Sequence, residues 1–270
     1  MSRRVRWRTL ALFPLVSVAL LGSALPLGQL TTAPSAVAPS LSVSGCPSSW
    51  ASAEAIVQGD AVSPTCRDGV WQFDLPADST PANPRRTEVF VRDASGRDTV
   101  GREGNTIVYE ADLLGSLGAA AQGDRAWHVF WQLQGPTNGQ WRPPPVGMQV
   151  RNGVLYLGGG SGHPNHDYRS RNYEWRVALG RYSDNSVMRV RVEVVLSSDP
   201  GRGLISAWFN GGRVLDRWAP VSPQGNRPGT LLPGQQGVAS RIGLYRGSQG
   251  ESAPTYRQYT MQRLVDTAVR

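Results

Sequence analysis

The sequence predicts an all-β fold, a sandwich or jelly roll of antiparallel strands. From Arg85 to the C-terminus the chain reads as short runs of alternating polarity, separated by Gly, Pro, Asn and Asp. That spacing fits strands joined by tight turns and does not fit βαβ units. No long amphipathic stretch at helical spacing interrupts the pattern, and there is no internal repeat. A single domain over residues 85–270 is large enough to bury a sizeable core.

The first 38 residues stand apart. Arg3, Arg4, Arg6 and Arg8 open the chain, an apolar run spans Leu10 to Leu21, and a small-residue stretch contains Ala36-Val37-Ala38. A positive end, an apolar segment and an A-x-A site in that order describe a secretory signal peptide over residues 1–38. An uncleaved N-terminal anchor is the alternative, although the run is short for a membrane span. The mature protein is expected to be secreted, off the membrane, and monomeric. Removing residues 1–38 takes away four arginines and no acid, so the formal net charge falls from +8 to +4. With no nucleic-acid-binding motif, that balance does not call for DNA or RNA. The chain has no lysine; its guanidinium groups suit bidentate pairing with carboxylate or sulfate.

Residues 39–84 read as a leader followed by a small disulfide-closed segment. Leu30 to Ser44 is rich in Ala, Pro, Ser and Thr, a flexible composition. Cys46 and Cys66 enclose nineteen residues, and in an exported protein the default is one disulfide. Closing such a loop stabilises a fold by about 3 kcal/mol in the chain-entropy account. No histidine lies near either cysteine, so the pair reads as structural. Trp50 to Val57 suggests a short helical turn, and Asp74 to Pro84 a proline-bearing loop.

The strands follow in order: Thr87–Arg92, Asn105–Leu113, then the run Trp127–Gly135. Val146–Val150 and Val154–Leu157 flank Arg151-Asn152-Gly153, which reads as a hairpin turn. Tyr173–Leu179 and Val187–Leu196 come next. In the latter Val190, Val192, Val194 and Leu196 alternate with Arg189, Arg191 and Glu193, one face buried and one wet. Gly203–Phe209 runs into a turn at Asn210-Gly211-Gly212, and Arg241–Tyr245 and Tyr256–Leu264 close the domain.

Candidate functional residues come from period two. In Trp127–Gly135 one face carries Trp127, Val129, Trp131 and Leu133, an apolar set for a core. The other carries His128, Phe130, Gln132 and Gln134. Neutral hydrogen-bonding groups beside an aromatic ring suit a polar, ring-shaped ligand such as a sugar; the bland alternative is an edge strand with solvated amides. In the strand around Thr87, the residues Thr87, Val89 and Val91 point one way and Arg86, Glu88, Phe90 and Arg92 the other. Around Arg241, the residues Ile242 and Leu244 point inward and Arg241, Gly243 and Tyr245 outward. The three polar faces together would offer Arg86, Glu88, His128, Gln132, Gln134, Arg241 and Tyr245, a set fit for an acidic sugar.

Arg86-Thr87-Glu88-Val89, Gln132-Leu133-Gln134 and Arg241-Ile242-Gly243-Leu244-Tyr245 occur in the order of three motifs of jelly-roll polysaccharide lyases. The chain resembles the alginate lyase pattern (R-[ST]-E-[LV], Q-[IV]-H, K-x-G-x-Y) and the related heparin lyase I and glucuronan lyase pattern. Pro144–Val150 and Ile205–Gly212 also resemble the strands between those motifs in the heparin lyase I type. The resemblance covers about Arg85 to Asp266. It implies a concanavalin A-like jelly roll of two antiparallel sheets and β-elimination on an acidic, uronate-containing polysaccharide, without a cofactor. By the same resemblance Gln132 and Arg86 neutralise the uronate carboxylate, Tyr245 is the catalytic tyrosine, and Arg241 stands where lysine is usual.

One position departs from the pattern: the motif histidine is Gln134, and an amide is no base near neutral pH. The sequence leaves three routes open. His128 lies on the same predicted face but six residues away. His163 and His166 sit in the glycine-rich loop Gly158–Asp167, whose bland reading is a surface loop. Otherwise Tyr245 serves as both base and acid. Glu88 is read as a substrate-binding residue or as a brace for Arg86 and Arg241. Trp141, Trp208 and Trp218 are candidates for sugar stacking, although most Trp in a sandwich is core. His163, His166 and Asp167 lack further ligand spacing, so no metal is expected. A lectin-like module with its chemistry lost at Gln134 is the rival from another class, and a structural envelope protein is the third.

Overall fold

The structure, a computed structural model, describes residues 56–58, 61–77, 85–91, 100–118, 127–167, 169–247 and 257–270. The expected signal peptide and Cys46 lie outside the described residues, as do Arg92 and most of the segment expected to form a helical turn. Where that segment is described, it is strand.

Two large antiparallel sheets make up the fold, consistent with a jelly-roll sandwich. The first runs from edge to edge through β1 (Ile56–Gln58), β4 (Arg85–Phe90), β16 (Val238–Arg246), β7 (His128–Gln134), β10 (Gly147–Arg151), β11 (Val154–Gly159) and β12 (Trp175–Arg181). The short β5 (Val100–Gly101) also pairs with β16. The second sheet runs β15 (Gly212–Trp218), β14 (Leu204–Phe209), β13 (Met188–Val195), β6 (Thr106–Ser116), β17 (Gln258–Val269), β3 (Val70–Leu75) and β2 (Thr65–Arg67). A small hairpin of β8 (Pro136–Thr137) and β9 (Gln140–Trp141) stands apart from both. The predicted turns form as primed hairpins: Asn152 and Gly153 have φ of 50° and 64°, Asn210 and Gly211 of 50° and 83°.

The alternation that reads as strand in the sequence also makes the core. On β13, Met188, Val190, Val192 and Val194 are buried, while Arg189 and Arg191 face outward and pair with Asp112 and Glu110 of β6. On β3, Trp71, Phe73 and Leu75 are buried in strict alternation. That strand takes in Asp74 and Leu75, which the sequence reading assigns to a loop. Tyr109 of the second sheet stacks on Trp131 of the first, with ring centroids 5.1 Å apart. Burial of such rings supplies about 1.5–3 kcal/mol each toward the sandwich.

The central strand β7 breaks period two. Against β10, Trp131 pairs with Met148 and Val129 with Gln149, so Phe130 is an extra residue. Against β16, Ile242 and Tyr245 pair with Trp131 and Val129, so two residues of β16, Gly243 and Leu244, oppose Phe130. These are β-bulges, and a bulge reverses the faces of everything on one side of it. A bulge also leaves ladder carbonyls without partners, and here the opposite sheet satisfies them. The fully buried Gln262 of β17 donates from Nε2 to the carbonyls of Phe130 (3.0 Å) and Gly243 (2.9 Å), and its Oε1 accepts from the Tyr109 hydroxyl (2.9 Å).

Candidate active site

Beyond the bulge, at the C-terminal end of β7, the predicted phase holds. Trp131 and Leu133 are buried in the core, while Gln132 and Gln134 face out. Before it, the phase is the reverse of the predicted one. His128 and Phe130 point into the core, each fully buried, and Trp127 and Val129 join the outer face. His128 is therefore no ligand-facing residue. Burial lowers its pKa to about 4, with Gln258 opposing the shift, so the imidazole is neutral at physiological pH.

β4 and β16 pair in unbroken register and keep the predicted faces. Thr87, Val89, Ile242 and Leu244 are buried inward; Arg86 lies opposite Tyr245, Glu88 opposite Gly243 and Phe90 opposite Arg241. The glycine in this row has a steric reason. A Cβ on Gly243 would stand 2.7 Å from Glu88 Cγ and 2.3 Å from the Thr87 carbonyl. Its absence lets Glu88 reach across β16 to Gln132 of β7, whose Nε2 donates to Glu88 Oε1 at 2.5 Å.

Glu88 thus sits at the centre of the cluster, 1% exposed. Desolvation raises its pKa; the guanidinium charges of Arg86 and Arg241 and the Gln132 hydrogen bond oppose that shift. Its other oxygen faces Arg86 Nε at 3.6 Å, close enough for ion pairing but too far for a hydrogen bond. A carboxylate so buried braces its neighbours and does not meet a ligand. Arg86 lies over the Tyr245 ring, 4.1 Å from its centroid, and the Trp127 ring meets Tyr245 edge-on at 4.9 Å. Arg241 lies over Phe90 at 4.3 Å and over Trp141 of the β8–β9 hairpin at 5.1 Å. Such stacking fixes flat cations in place.

These residues form one end of a cleft of about 690 Å³ on the outer face of the first sheet. Arg86, Gln132, Gln134, Arg241 and Tyr245 all line it, as the sequence predicts. Trp141, 61% exposed, stands at its edge. The other two candidate platforms lie elsewhere: Trp218 packs on Trp175, and Trp208 lies on the second sheet beneath Arg191 and Arg213. Among the described residues, six arginines line the cleft (Arg86, Arg142, Arg151, Arg171, Arg176 and Arg241) against one glutamate, Glu174. Such a surface attracts polyanions. Arg151 ends β10, Arg176 lies on β12 and Arg171 in the turn before it, so no alternation along a single strand marks these arginines as one group.

The glycine-rich loop contributes Gly158, Gly159 and Ser161 to the lining, but neither of its histidines. Its glycines let backbone pack on backbone. A Cβ on Gly159 would come within 1.8 Å of the Pro145 carbonyl oxygen, and one on Gly160 within 2.0 Å of that of Tyr173. The loop is wedged in place, and His163 stacks flat on Tyr173 at 3.7 Å while its Nδ1 accepts from the Asn165 amide. Burial and the neighbouring His166 lower the His163 pKa. Among the described residues no group of His, Cys, Asp and Glu is arranged to hold a metal ion.

The sequence model for the family described as polysaccharide lyase matches residues 49–261. Among curated proteins, none matches the chain in sequence. Among solved structures, the endo-β-1,4-glucuronan lyase from the fungus Trichoderma reesei superposes with a TM-score of 0.59 at 16% identity, covering 84% of this chain and 92% of that one. An alginate lyase of polysaccharide lyase family 7 gives 0.47 at 12% identity, over 76% of this chain and 81% of its own. A marine family-7 alginate lyase from Zobellia galactanivorans gives 0.46 at 13%, over 79% and 82%.

Proposed function

The chain belongs to the polysaccharide lyase family, and from that premise we propose that it cleaves a uronate-containing polysaccharide by β-elimination, with Tyr245 carrying the proton. The observation that carries this reading is the braced cluster of Arg86, Glu88, Gln132, Arg241 and Tyr245 at the end of an arginine-lined cleft. The similarity to glucuronan and alginate lyases agrees with an acidic substrate.

The chemistry follows from the groups present. The uronate carboxylate lies against Gln132 and Arg86, whose N–H groups offset the negative charge that builds on it as the C5 proton leaves. Glu88 holds both donors from behind, so they need no reorganisation during the reaction. Tyr245 takes the C5 proton, and the C4–O4 bond breaks as the C4=C5 double bond forms. The tyrosine passes that proton on to the departing O4, so the released hydroxyl is neutral and Tyr245 ends in the state in which it began. Gln134 cannot replace it as a base, and the lining holds no histidine among the described residues.

The experiment is to mix the mature protein with glucuronan, alginate, heparin and hyaluronan and follow the ultraviolet absorbance of the unsaturated uronate. A rise that disappears in Tyr245→Phe supports the lyase and selects its substrate. Gln134, in place of the motif histidine, favours a second reading: a lectin-like protein that binds the same polymers. Binding without any absorbance change supports that reading instead. Export by residues 1–38 and the Cys46–Cys66 disulfide belong to the same proposal. Intact mass of the secreted protein, with and without reductant, tests both.

A further inference from the structure

The groove of the first sheet has a second cationic end. One row of residues crosses five strands in register: Arg241 on β16, Gln132 on β7, Gly147 on β10, Gly158 on β11 and Arg176 on β12. Four strand spacings separate its two arginines, about 19 Å at ~4.8 Å each. Between them Gln132 is followed by two glycines, and Gln149 Nε2 lies 3.4 Å from where a Cβ on Gly158 would stand, so the floor is lined by amides and backbone. At the far end Arg176 is joined by Arg151 and Arg171, with Glu174 as the one carboxylate of the lining among the described residues. Glu174 meets Arg171 at 3.3 Å and Arg176 at 3.9 Å, so two of the three cations share one anion. Arg176 is partly withdrawn from water, and its pKa is lowered by that burial and by Arg151. Arg171 holds a left-handed backbone (φ 52°), which non-glycine residues seldom adopt.

We propose that Arg151, Arg171 and Arg176 form a distal subsite for a uronate carboxylate of the same polymer whose reacting residue lies at Tyr245. The inference rests on the lyase reading and deepens it. A 1,4-linked pyranose is about as long as one strand spacing (~4.8 Å), so a chain running across the strands sets about one sugar over each strand. The carboxylate at the distal end then belongs to a residue three or four sugars from the cleaved bond. A half-buried arginine with too little counter-charge gains most from a carboxylate, and bidentate geometry suits both groups. The cleft on this account grips internal stretches of chain and favours oligomers long enough to span both ends.

Calorimetric titration with ladders of uronate oligosaccharides drawn from each polymer of the absorbance panel, from disaccharide to hexasaccharide, tests the subsite in the Tyr245→Phe background so that no ligand is consumed. The parent is expected to gain affinity steeply once the oligomer spans four residues, with a marked dependence on salt. Arg151→Gln/Arg176→Gln should remove most of that gain, about tenfold per arginine, and flatten the salt dependence. Arg151→Lys/Arg176→Lys should restore the salt dependence and only part of the affinity. An unchanged gain with chain length in the Gln variant overturns the distal subsite and leaves the lyase reading intact. A parent that binds no oligomer of any length overturns both.

Discussion

β7 and β16 carry two polar clusters back to back, one on each face of the same pair of strands. On the cleft face, Arg86, Glu88, Gln132, Arg241 and Tyr245 meet; on the core face, His128, Arg246 and Gln258. Both combine a cation, an amide and a titratable group, yet they do opposite things. The core cluster is sealed from solvent: Arg246 donates to Gln258, whose amide donates on to the Leu117 carbonyl, and burial keeps His128 neutral with neither ring nitrogen hydrogen-bonded. The cleft cluster stays open. Its carboxylate is held between two guanidinium groups, with one oxygen lacking a hydrogen bond, and its donors border a solvent-filled cleft. What separates the two is access: polar groups sealed in the core specify the fold, while donors that border a cleft can meet a ligand.

The largest effect that would sharpen this contrast is on the cleft side. Tyr245→Phe keeps the ring, its edge contact with Trp127 and the stacking with Arg86, but removes the proton carrier. We expect kcat to fall about 10³-fold with little change in KM; steady-state kinetics on glucuronan would check it. Equal losses in both parameters from a weakened fold would blur the division between the faces.

Next come two effects on the core side, both read as stability. Gln262→Leu strands the Phe130 and Gly243 carbonyls and the Tyr109 hydroxyl, and should cost about 2–4 kcal/mol in urea unfolding. It should also lower kcat, since the bulge sets where Tyr245 lies against Val129. His128 supplies a pH effect whose sign is fixed by its lowered pKa. The unfolded chain takes up the proton near pH 6.5, the folded chain only near 4. Stability is therefore complete above about pH 6.5 and is lost as pH falls toward 4, by about 3 kcal/mol in all. Unfolding midpoints across that range should show the slope, and His128→Gln should flatten it. The smallest effect belongs to the cleft edge: Trp141→Ala should raise KM about fivefold, about 1 kcal/mol of lost stacking, with the melting temperature unchanged.

The sequence told the two faces apart wherever period two ran unbroken. β4 and β16 pair residue for residue, so Arg86, Glu88, Arg241 and Tyr245 fell where alternation puts them. Gln132 and Gln134 did too, being on the regular side of the bulge. His128, Phe130, Trp127 and Val129 did not, because one extra residue reverses everything before it. Nothing in Trp-His-Val-Phe-Trp betrays that reversal: either phase places one large aromatic ring in the core. The signal lay far away in sequence, in the buried Gln262 that closes the bulge from the opposite sheet. The distal arginines were legible in principle. Arg176 follows the buried Trp175 in alternation, but only the register across four strand pairs puts it in line with Arg241.

The measurement that most directly tests the central claim compares two variants on glucuronan by the absorbance of unsaturated uronate. The account predicts that His163→Gln/His166→Gln releases product at close to the rate of the unmodified protein, while Tyr245→Phe releases almost none. Loss of product in the histidine variant, with Tyr245→Phe still active, would contradict it.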